Sequence, residues 1–302
     1  MNTKRLWAWT IPAWILWHTL AFAASDTPGV RFSYIETSQS EGAQEAMVVV
    51  GGSWWTRRHL THGALLIEHP KGTFLFDTGL GTQVDTQFEE NSWLASQLFS
   101  YTEPDPVIRQ LERHQYPSNQ IGAIIPSHLH WDHASGLVDF PGVPIWVQES
   151  ELEAARLGEK PSFLQSQLSS PQLNWQLIEL RQQPFMGFAR SFDIFADGTL
   201  VLVDLAGHSA GQLGLFLQAN NGKSYLFIGD TTWTLEGVKT NQPRPDLIKL
   251  VVNVDYDEDR ALERINMIHQ LAQTHPELTI VPAHDEHVAA ELPHFPKFSE
   301  SN

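Results

Sequence analysis

Four side chains of the kinds that bind metal ions lie within six residues of one another. The segment reads His128-Leu-His130-Trp-Asp132-His133 and follows an apolar run at 121–126. In an extended chain alternate side chains point to one side, so His128, His130 and Asp132 face together and His133 stands beside Asp132. Two imidazoles can serve one divalent ion, and the Asp–His pair can serve a second. A polar surface loop that happens to be rich in histidine is the alternative.

Three further candidate ligands lie downstream, and each closes or closely follows a predicted strand. They are His208 after 200–204, Asp230 after 224–228 and His284 after 278–281. Each would be a weak signal on its own, because a single histidine is more often a structural residue. Together with the first cluster they predict a metal site built from strand ends, which a chance surface loop does not explain.

The elements that must position these residues follow a pattern of strands, helices, strands and helices. The strands are short, enriched in β-branched and aromatic residues, and separated by turn residues. The longest helix has apolar positions at spacings of three or four, whereas the stretch 157–184, rich in Ser, Gln and Pro, is predicted as loop or short helix. The predicted strands are 31–37, 46–50, 64–69, 73–77, 121–126, 144–148, 192–195, 200–204, 213–219, 224–228 and 278–281, and the predicted helices are 87–99, 105–114, 149–157 and 257–273.

This order of elements favours two sheets packed together with helices outside, an α+β arrangement. The ligand cluster and its three downstream partners resemble the metallo-β-lactamase superfamily over about residues 64–284. The resemblance implies the four-layer αββα sandwich of that family, with the site along one edge where loops from both halves meet. Because the ligands extend from His128 to His284, one site ties most of the chain into a single domain, expected at 24–302.

The resemblance also implies how the ligands divide between two metal ions. The implied sets are His128, His130 and His208 for the first ion, Asp132, His133 and His284 for the second, and Asp230 as the bridge between them. A hydroxide shared by two cations is a strong nucleophile at neutral pH, because metal binding lowers the pKa of water to roughly 7. Asp132 is also predicted to pass a proton to the leaving group.

The identity of the ions is limited by the donors that the chain offers. The sequence contains no cysteine, so thiolate ligands and disulfides are both excluded. The expected cofactor is therefore a pair of divalent ions held by nitrogen and oxygen atoms. Zinc is the first expectation, and iron, manganese and cobalt are the alternatives that such a site accepts.

Two further residues are singled out by the same resemblance. Asp77, in the stretch Phe-Asp77-Thr-Gly, matches a turn that precedes the metal loop in the family, and it is predicted to orient a ligand histidine or the loop backbone, or to cap the turn. The chain resembles the N-acyl homoserine lactonase branch in its His-x-His-x-Asp-His spacing and its Glu-His-Pro-Lys-Gly…Phe-Asp-Thr-Gly stretch. In that branch a Tyr three residues after the bridging Asp helps to hold the substrate carbonyl.

This chain departs from the branch at that position, where it has Trp233. An indole can donate one hydrogen bond, but it accepts none and cannot act as an acid. Trp233 is accordingly predicted either to contact the substrate or to pack beneath the loop.

The first residues have the pattern of a targeting segment. Lys4 and Arg5 precede the apolar run 6–20, and Ala21-Phe22-Ala23 supplies a cleavage signature. Pro12 and the shortness of the run argue against a permanent transmembrane helix, and an uncleaved anchor is the alternative. Residues 1–23 are therefore predicted to be a signal peptide, and the protein is expected in the periplasm or outside the cell without a stable membrane anchor.

The charge of the mature chain excludes one class of partner. Removal of residues 1–23 takes away Lys4 and Arg5, which leaves 17 basic against 35 acidic residues and a formal charge of −18. Nucleic-acid binding requires a basic surface that neutralises phosphates. We therefore expect a small-molecule substrate and no nucleic-acid partner; the oligomeric state is left open.

The leading functional hypothesis is an exported dinuclear hydrolase of a lactone or similar small ester. A phosphotriester hydrolase uses the same metal set, and the sequence does not separate the two. A β-lactamase is disfavoured, because β-lactam hydrolases of the superfamily typically lack the bridging carboxylate that Asp230 supplies. A metal-binding or ligand-sensing module is the non-enzyme alternative, and it is disfavoured because all seven ligands are present.

Overall fold

Two β-sheets packed face to face form the centre of the protein. The computed structural model describes residues 29–158, 162–249 and 254–299. The predicted signal peptide at 1–23 lies outside these residues. Within them, no helix is both long enough and apolar enough to cross a bilayer.

The first sheet has six strands in the spatial order β1-β4-β5-β6-β7-β8. Strands β1, β4 and β5 pair antiparallel, whereas β5, β6, β7 and β8 pair parallel. Their bounds are Arg31–Gln39 for β1, Thr61–His69 for β4, Gly72–Phe76 for β5, Ile121–Ile125 for β6, Pro144–Val147 for β7 and Asn174–Leu177 for β8.

The second sheet has five strands in the order β13-β12-β11-β10-β9. Strands β12 and β13 pair parallel, and the other neighbours pair antiparallel. A separate two-stranded ribbon joins β2 to β3. The bounds are Ser191–Asp193 for β9, Leu200–Asp204 for β10, Leu213–Gln218 for β11, Ser224–Phe227 for β12, Leu278–Val281 for β13, Ala43–Gln44 for β2 and Arg57–Arg58 for β3.

Helices connect the strands and cover the outer faces of both sheets. Two 3-10 turns at Ser118–Gln120 and Ser135–Asp139 complete the connections. The helices are α1 Glu45–Val48, α2 Val84–Phe88, α3 Trp93–Leu98, α4 Val107–Arg113, α5 Trp131–Ala134, α6 Glu149–Leu157, α7 Gln165–Leu168, α8 Leu235–Thr240, α9 Asp246–Lys249, α10 Glu258–Thr274 and α11 Glu286–Ala290.

The main hydrophobic core lies between the two sheets. Phe32 and Ile67 from the first sheet and Leu202 and Leu215 from the second belong to one cluster of buried residues. The Phe32 ring meets the Tyr225 ring edge to face, with centroids 4.8 Å apart. Alternate residues of each strand point to opposite faces, so each sheet has a second apolar face that must also be covered.

Helices supply that cover on both sides. Leu111 of α4 and Leu152 of α6 pack in the cluster on the outer face of the first sheet. Val238 of α8 and Ile268 of α10 pack in the cluster on the outer face of the second sheet. The prediction of an α+β, four-layer αββα sandwich is therefore confirmed.

Three local predictions from the sequence were wrong. The segment 46–50, predicted as a strand, contains one turn of helix α1, in which Val49 N donates to Glu45 O at 2.8 Å. The single helix predicted at 87–99 is two helices, because the Ser92 hydroxyl accepts from Ala95 N and begins α3 as a new helix. The stretch 157–184 contains the strand β8, which forms an edge of the first sheet.

The inter-sheet core generates a stability prediction. Leu202 is fully buried in β10, and Leu202→Ala should lower the free energy of unfolding by about 2–5 kcal/mol, because the neighbouring side chains cannot close the cavity. Urea unfolding followed by circular dichroism measures the change. Leu157→Ala is the matched control, since Leu157 is 85% exposed and its loss should change stability by less than about 0.5 kcal/mol. Equal stability of both variants would contradict this account of the core.

Candidate metal centre

All seven predicted ligands lie at one edge of the sandwich. Strands β6, β10, β12 and β13 end shortly before His128, His208, Asp230 and His284 respectively. Strands β10 and β12 both run antiparallel to β11, and β12 is parallel to β13, so these three strands end at the same edge of their sheet. The Ser127 carbonyl accepts from Leu213 N at 2.7 Å, which joins this edge to the loop after β6 in the other sheet.

The short helix α5 explains how one loop supplies four of the ligands. His130 is in extended conformation directly before α5. The single turn of this helix then carries Asp132 and His133. His130 then lies beside His208, Asp132 and His133 lie beside His284, and His128 lies near both His130 and His133.

The first donor group consists of three imidazoles. His130 Nδ1 and His208 Nε2 are 2.9 Å apart, and the His128 ring centroid lies 4.4 Å from that of His130. The ligand atoms of all three residues fall within 4.8 Å of one another. Such a set of neutral nitrogens suits one divalent transition-metal ion.

The second donor group consists of one carboxylate and two imidazoles. Asp132 Oδ2 lies 3.4 Å from His284 Nε2 and 3.9 Å from His133 Nε2, and the two imidazole nitrogens are 3.4 Å apart. Donors bound at about 2.0–2.2 Å to one tetrahedral ion lie roughly 3.4 Å from each other. The spacing of this group is therefore that of ligands around a shared ion.

The carboxylate of Asp230 lies between the two groups. Its Oδ1 is 3.0 Å from His284 Nε2 and 3.3 Å from His133 Nε2. Its Oδ2 is 3.5 Å from His208 Nε2. One side chain thus faces donors of both groups, which is the arrangement a bridging ligand needs.

Three of the histidines are oriented by acceptors behind them. His133 Nδ1 lies 3.0 Å from Asp77 Oδ2, His208 Nδ1 lies 3.1 Å from Asp255 Oδ1, and His284 Nδ1 lies 2.7 Å from the Thr61 carbonyl oxygen. An ionised carboxylate or a carbonyl only accepts, so each Nδ1 must donate its proton. The Nε2 lone pair of each ring is then directed at the donor groups.

Asp77 has a second contact that fixes the loop itself. Its Oδ1 accepts from Ser127 N at 2.6 Å, directly before His128. Asp77 has a φ of 61°, a left-handed conformation that Asp and Asn adopt more readily than most residues. The side chain thus contacts both a ligand histidine and the loop backbone. Both of these hydrogen bonds lie behind the donor groups.

Two buried acids at the site were missed by the sequence analysis. Asp255, behind His208, follows a largely apolar run at 250–254, the same pattern that revealed His208 and His284. Glu151 gave no such signal, because a glutamate in the helix α6 is ordinarily expected on the solvent-facing side. The pattern of strand ends could therefore have found Asp255 but not Glu151.

Glu151 joins the two loops that carry the first donor group. Its Oε1 accepts from Leu129 N at 2.8 Å, between His128 and His130. Its Oε2 accepts from Ser209 Oγ at 2.7 Å and from Gly211 N at 2.8 Å, beside His208. Burial raises the pKa of the Glu151 carboxyl, and these three donors oppose that rise.

Trp233 contacts the carboxylate of Asp230. Its indole N–H donates to Asp230 Oδ2 at 3.0 Å, so its one donor is engaged by the protein. The Arg244 guanidinium lies 4.7 Å from the Trp233 ring centroid and also donates to Asp255 Oδ1 at 2.8 Å and to the Asp230 carbonyl. The indole N–H is therefore bound to the protein, not free to bind the substrate. A contact between the face of the Trp233 ring and the substrate stays a prediction.

The electrostatics of the site favour cations. Burial, reinforced by neighbouring histidines, holds the pKa of His128 and His130 well below the usual value, so both imidazoles are neutral donors. Burial lowers the pKa of His133, but the carboxylates of Asp77, Asp132 and Asp230 outweigh burial and raise that pKa well above its usual value. The same negative charges that stabilise a proton there would stabilise a divalent ion.

Two buried atoms test whether the donors fit a metal. His128 Nε2 and Asp230 Oδ1 are buried and have no hydrogen-bond partner among the described residues. Buried polar atoms are normally satisfied, and both of these atoms belong to the donor groups. A metal ion in each group would satisfy them, so the residues fit a pair of ions.

Comparisons with known proteins agree with this geometry. The family model described as the metallo-beta-lactamase superfamily matches residues 60–284. The N-acyl homoserine lactonase AttM of Rhizobium radiobacter is 24% identical over 239 residues, which cover 77% of this chain and 85% of that protein. An N-acyl homoserine lactonase of Bacillus thuringiensis is 29% identical over 181 residues, which cover 59% of this chain and 66% of that protein.

A solved structure shares the fold. An N-acyl homoserine lactone hydrolase with its product N-hexanoyl-L-homoserine bound at the catalytic metal centre aligns with a TM-score of 0.68. The two chains are 22% identical, and the alignment covers 90% of this chain and 99% of the other. At this identity the likeness establishes a common fold.

The contacts of Glu151 generate a prediction about metal affinity. Glu151→Gln replaces one acceptor oxygen by an amide that donates, so one of the two loops loses its contact. Zinc binding by the first donor group should weaken by about 10–100-fold, as for other residues that orient metal ligands. Competition with a chromophoric chelator measures the affinity, and circular dichroism checks the fold.

The control for this substitution is Glu149→Gln, which removes the same charge from an exposed position on the same helix. It should leave the affinity unchanged. If both variants bind zinc as the wild type does, Glu151 does not position the ligands.

Proposed function

The chain belongs to the metallo-β-lactamase superfamily, and from that premise we propose that it is a dinuclear metal-dependent hydrolase of a lactone or a similar small ester. The observation that carries the proposal is the position of Asp230. Its carboxylate lies between the two donor groups: Oδ1 is 3.0 Å from His284 Nε2 and 3.3 Å from His133 Nε2, and Oδ2 is 3.2 Å from His284 Nε2 and 3.5 Å from His208 Nε2. A site for one ion alone would not need a buried carboxylate in that position.

The proposed ligands of the two ions follow from the donor groups. His128, His130 and His208 hold one ion, Asp132, His133 and His284 hold the other, and Asp230 bridges them. When bound, such a pair supplies an activated water as the nucleophile and polarises the carbonyl of the scissile bond. Zinc is the proposed ion, although iron, manganese or cobalt suit the same nitrogen and oxygen donors.

Asp132 is the proposed proton carrier of the reaction. Its side chain is 11% exposed, whereas those of His133, His208 and Asp230 are 3–5% exposed. Among these ligands it is therefore the one that an incoming substrate reaches most easily. A carboxylate with one oxygen toward the donor group can pass a proton to the leaving alkoxide with the other.

The substrate class rests on the relatives and on one departure from them. Both curated relatives named above are N-acyl homoserine lactonases, which supports a lactone or small ester as substrate. The Tyr that holds the substrate carbonyl in that branch is replaced by Trp233, whose N–H is engaged by Asp230. With its N–H engaged in this way, Trp233 does not supply the hydrogen bond that the Tyr of that branch gives to the carbonyl, so a small ester other than a homoserine lactone is included in the proposal. The excess of acidic over basic residues disfavours a polyanionic substrate such as nucleic acid.

We also propose that the enzyme acts outside the cytoplasm. The support is the sequence pattern of residues 1–23, a basic start, an apolar run and a small-x-small motif. Expression of the full chain in a bacterial host should yield a soluble periplasmic form that lacks these residues. Intact-mass spectrometry tests this, and a full-length protein recovered only with membranes would contradict it.

The hydrolase proposal is tested with a panel of substrates. Mature protein loaded with zinc should bind about two ions per chain and should hydrolyse acyl-homoserine lactones or aryl esters faster than a paraoxon-type triester or a cephalosporin. Asp230→Asn keeps the size of the side chain but removes the charge between the ions, and kcat/KM on the best substrate should fall by at least about 100-fold. Elemental analysis and steady-state kinetics supply the two measurements.

Asp246→Asn is the control for Asp230→Asn, because its carboxylate is almost fully exposed, and it should retain wild-type kinetics. Near-normal turnover by Asp230→Asn, or a wild-type protein that takes up one ion or fewer, would contradict the dinuclear site. Selective hydrolysis of the triester or the cephalosporin would keep the metal centre but overturn the proposed substrate class.

A further inference from the structure

We propose that His62 is an eighth ligand, an imidazole donor to the ion held by Asp132 and His284. The inference rests on the proposed dinuclear site and adds to it a residue that the strand-end pattern did not reveal. His62 lies at the start of β4, 66 residues before the histidine cluster in the sequence.

The topology of the first sheet brings His62 to the site. Strand β4 is antiparallel to β5, and β5 is parallel to β6. The amino end of β4 therefore lies at the same edge as the carboxyl ends of β5 and β6. Thr61 N donates to the His284 carbonyl at 3.3 Å, and the Thr61 carbonyl accepts from His284 Nδ1 at 2.7 Å, so the start of β4 is tied to the loop that carries His284.

The His62 ring is buried and faces the second donor group. The residue is 7% exposed, and its Nδ1 lies 3.2 Å from Asp132 Oδ2. The ligand atoms of His62, Asp132 and His284 fall within 4.8 Å of one another. The ring centroid lies 5.3 Å from that of His284 and 5.6 Å from that of Trp131, so neighbours on two sides restrict its rotation.

The direction of the ring nitrogen distinguishes a ligand from a hydrogen-bond donor. His62 Nδ1 is buried and has no hydrogen-bond partner among the described residues, although Asp132 Oδ2 is only 3.2 Å away. A hydrogen bond requires the donor to point at its acceptor. Two ligands of one ion instead point at the ion between them, about 3.4 Å from each other and not aligned.

The backbone around His62 is held in place independently of the side chain. The Thr37 hydroxyl donates to the His62 carbonyl at 3.0 Å, His62 pairs with Ser38 of β1, and β4 pairs with β5 from Leu65 onward. Replacing the imidazole should therefore leave the strand in position. A fifth side-chain donor beside Asp132, His133, His284 and Asp230 would strengthen the hold on the second ion.

Two variants separate ligation from hydrogen bonding. In His62→Asn the amide nitrogen takes roughly the place of Nδ1 and can donate to Asp132, but an amide is a poor ligand for zinc or cobalt. His62→Phe keeps the ring volume and supplies neither function. The affinities for both ions are measured by chelator competition on Co²⁺-loaded protein, and X-ray absorption counts the imidazoles bound to cobalt.

Both variants should lose about tenfold or more in affinity for one of the two ions and should show fewer cobalt-bound imidazoles, with an unchanged circular dichroism spectrum. His59→Asn is the control, since His59 is exposed three residues earlier, and it should behave as the wild type. If His62→Asn binds the second ion as the wild type does, His62 is at most a hydrogen-bond donor and the ligand proposal is overturned.

The failure of this inference is distinguishable from the failure of the proposed function. If the wild type binds two ions and hydrolyses esters, and His62→Phe binds both ions with the same affinity, only the role of His62 is overturned. A wild-type protein that takes up a single ion overturns the dinuclear hydrolase, and the eighth ligand with it.

Discussion

The buried carboxylate of Asp230 is the constraint on which the rest of the centre depends. A charge removed from water costs several kcal/mol unless partners replace its hydration. Here the partners are the imidazoles of His133, His208 and His284 and the indole N–H of Trp233. These groups come from both sheets, so the two halves of the sandwich must meet with the correct alignment for the charge to be stabilised.

The residues behind the ligands extend this constraint through the fold. Asp77 links the end of β5 to the loop after β6, and Glu151 links that loop to the one after β10. Arg244 contacts both Trp233 and Asp255, which in turn contact the carboxylate of Asp230 and the imidazole of His208. Asp77, Glu151, Asp255 and Arg244 therefore position the ligands of the centre through buried hydrogen bonds.

The residues found from the sequence share one physical cause. His128, His208, Asp230 and His284 each follow an apolar strand, and ligands at the carboxyl ends of strands leave a recognisable change from apolar to polar residues. The layers of the fold were predictable for a similar reason, because strands buried on both faces are continuously apolar. His62 was missed because β4 runs in the opposite direction and places its first residues at the site. Glu151 was missed because its burial depends on two loops that lie far from it in the sequence. Helix α1 was missed because the β-branched run Val48-Val49-Val50 favours a strand.

The ligands of the centre are spread widely along the chain, and this fixes when metal can be acquired. His133 and His284, whose Nε2 atoms are 3.4 Å apart, are separated by 151 positions. The donor groups are complete only after β13 has paired with β12. Of the described strands, β13 is the last to be synthesised. A growing or unfolded chain offers at most the local cluster at 128–133 and cannot hold an ion with the full set. An ion held by the full set of donors would therefore be bound only in the compartment where the chain finishes folding, and the metal supply of that compartment would decide which ion the site holds.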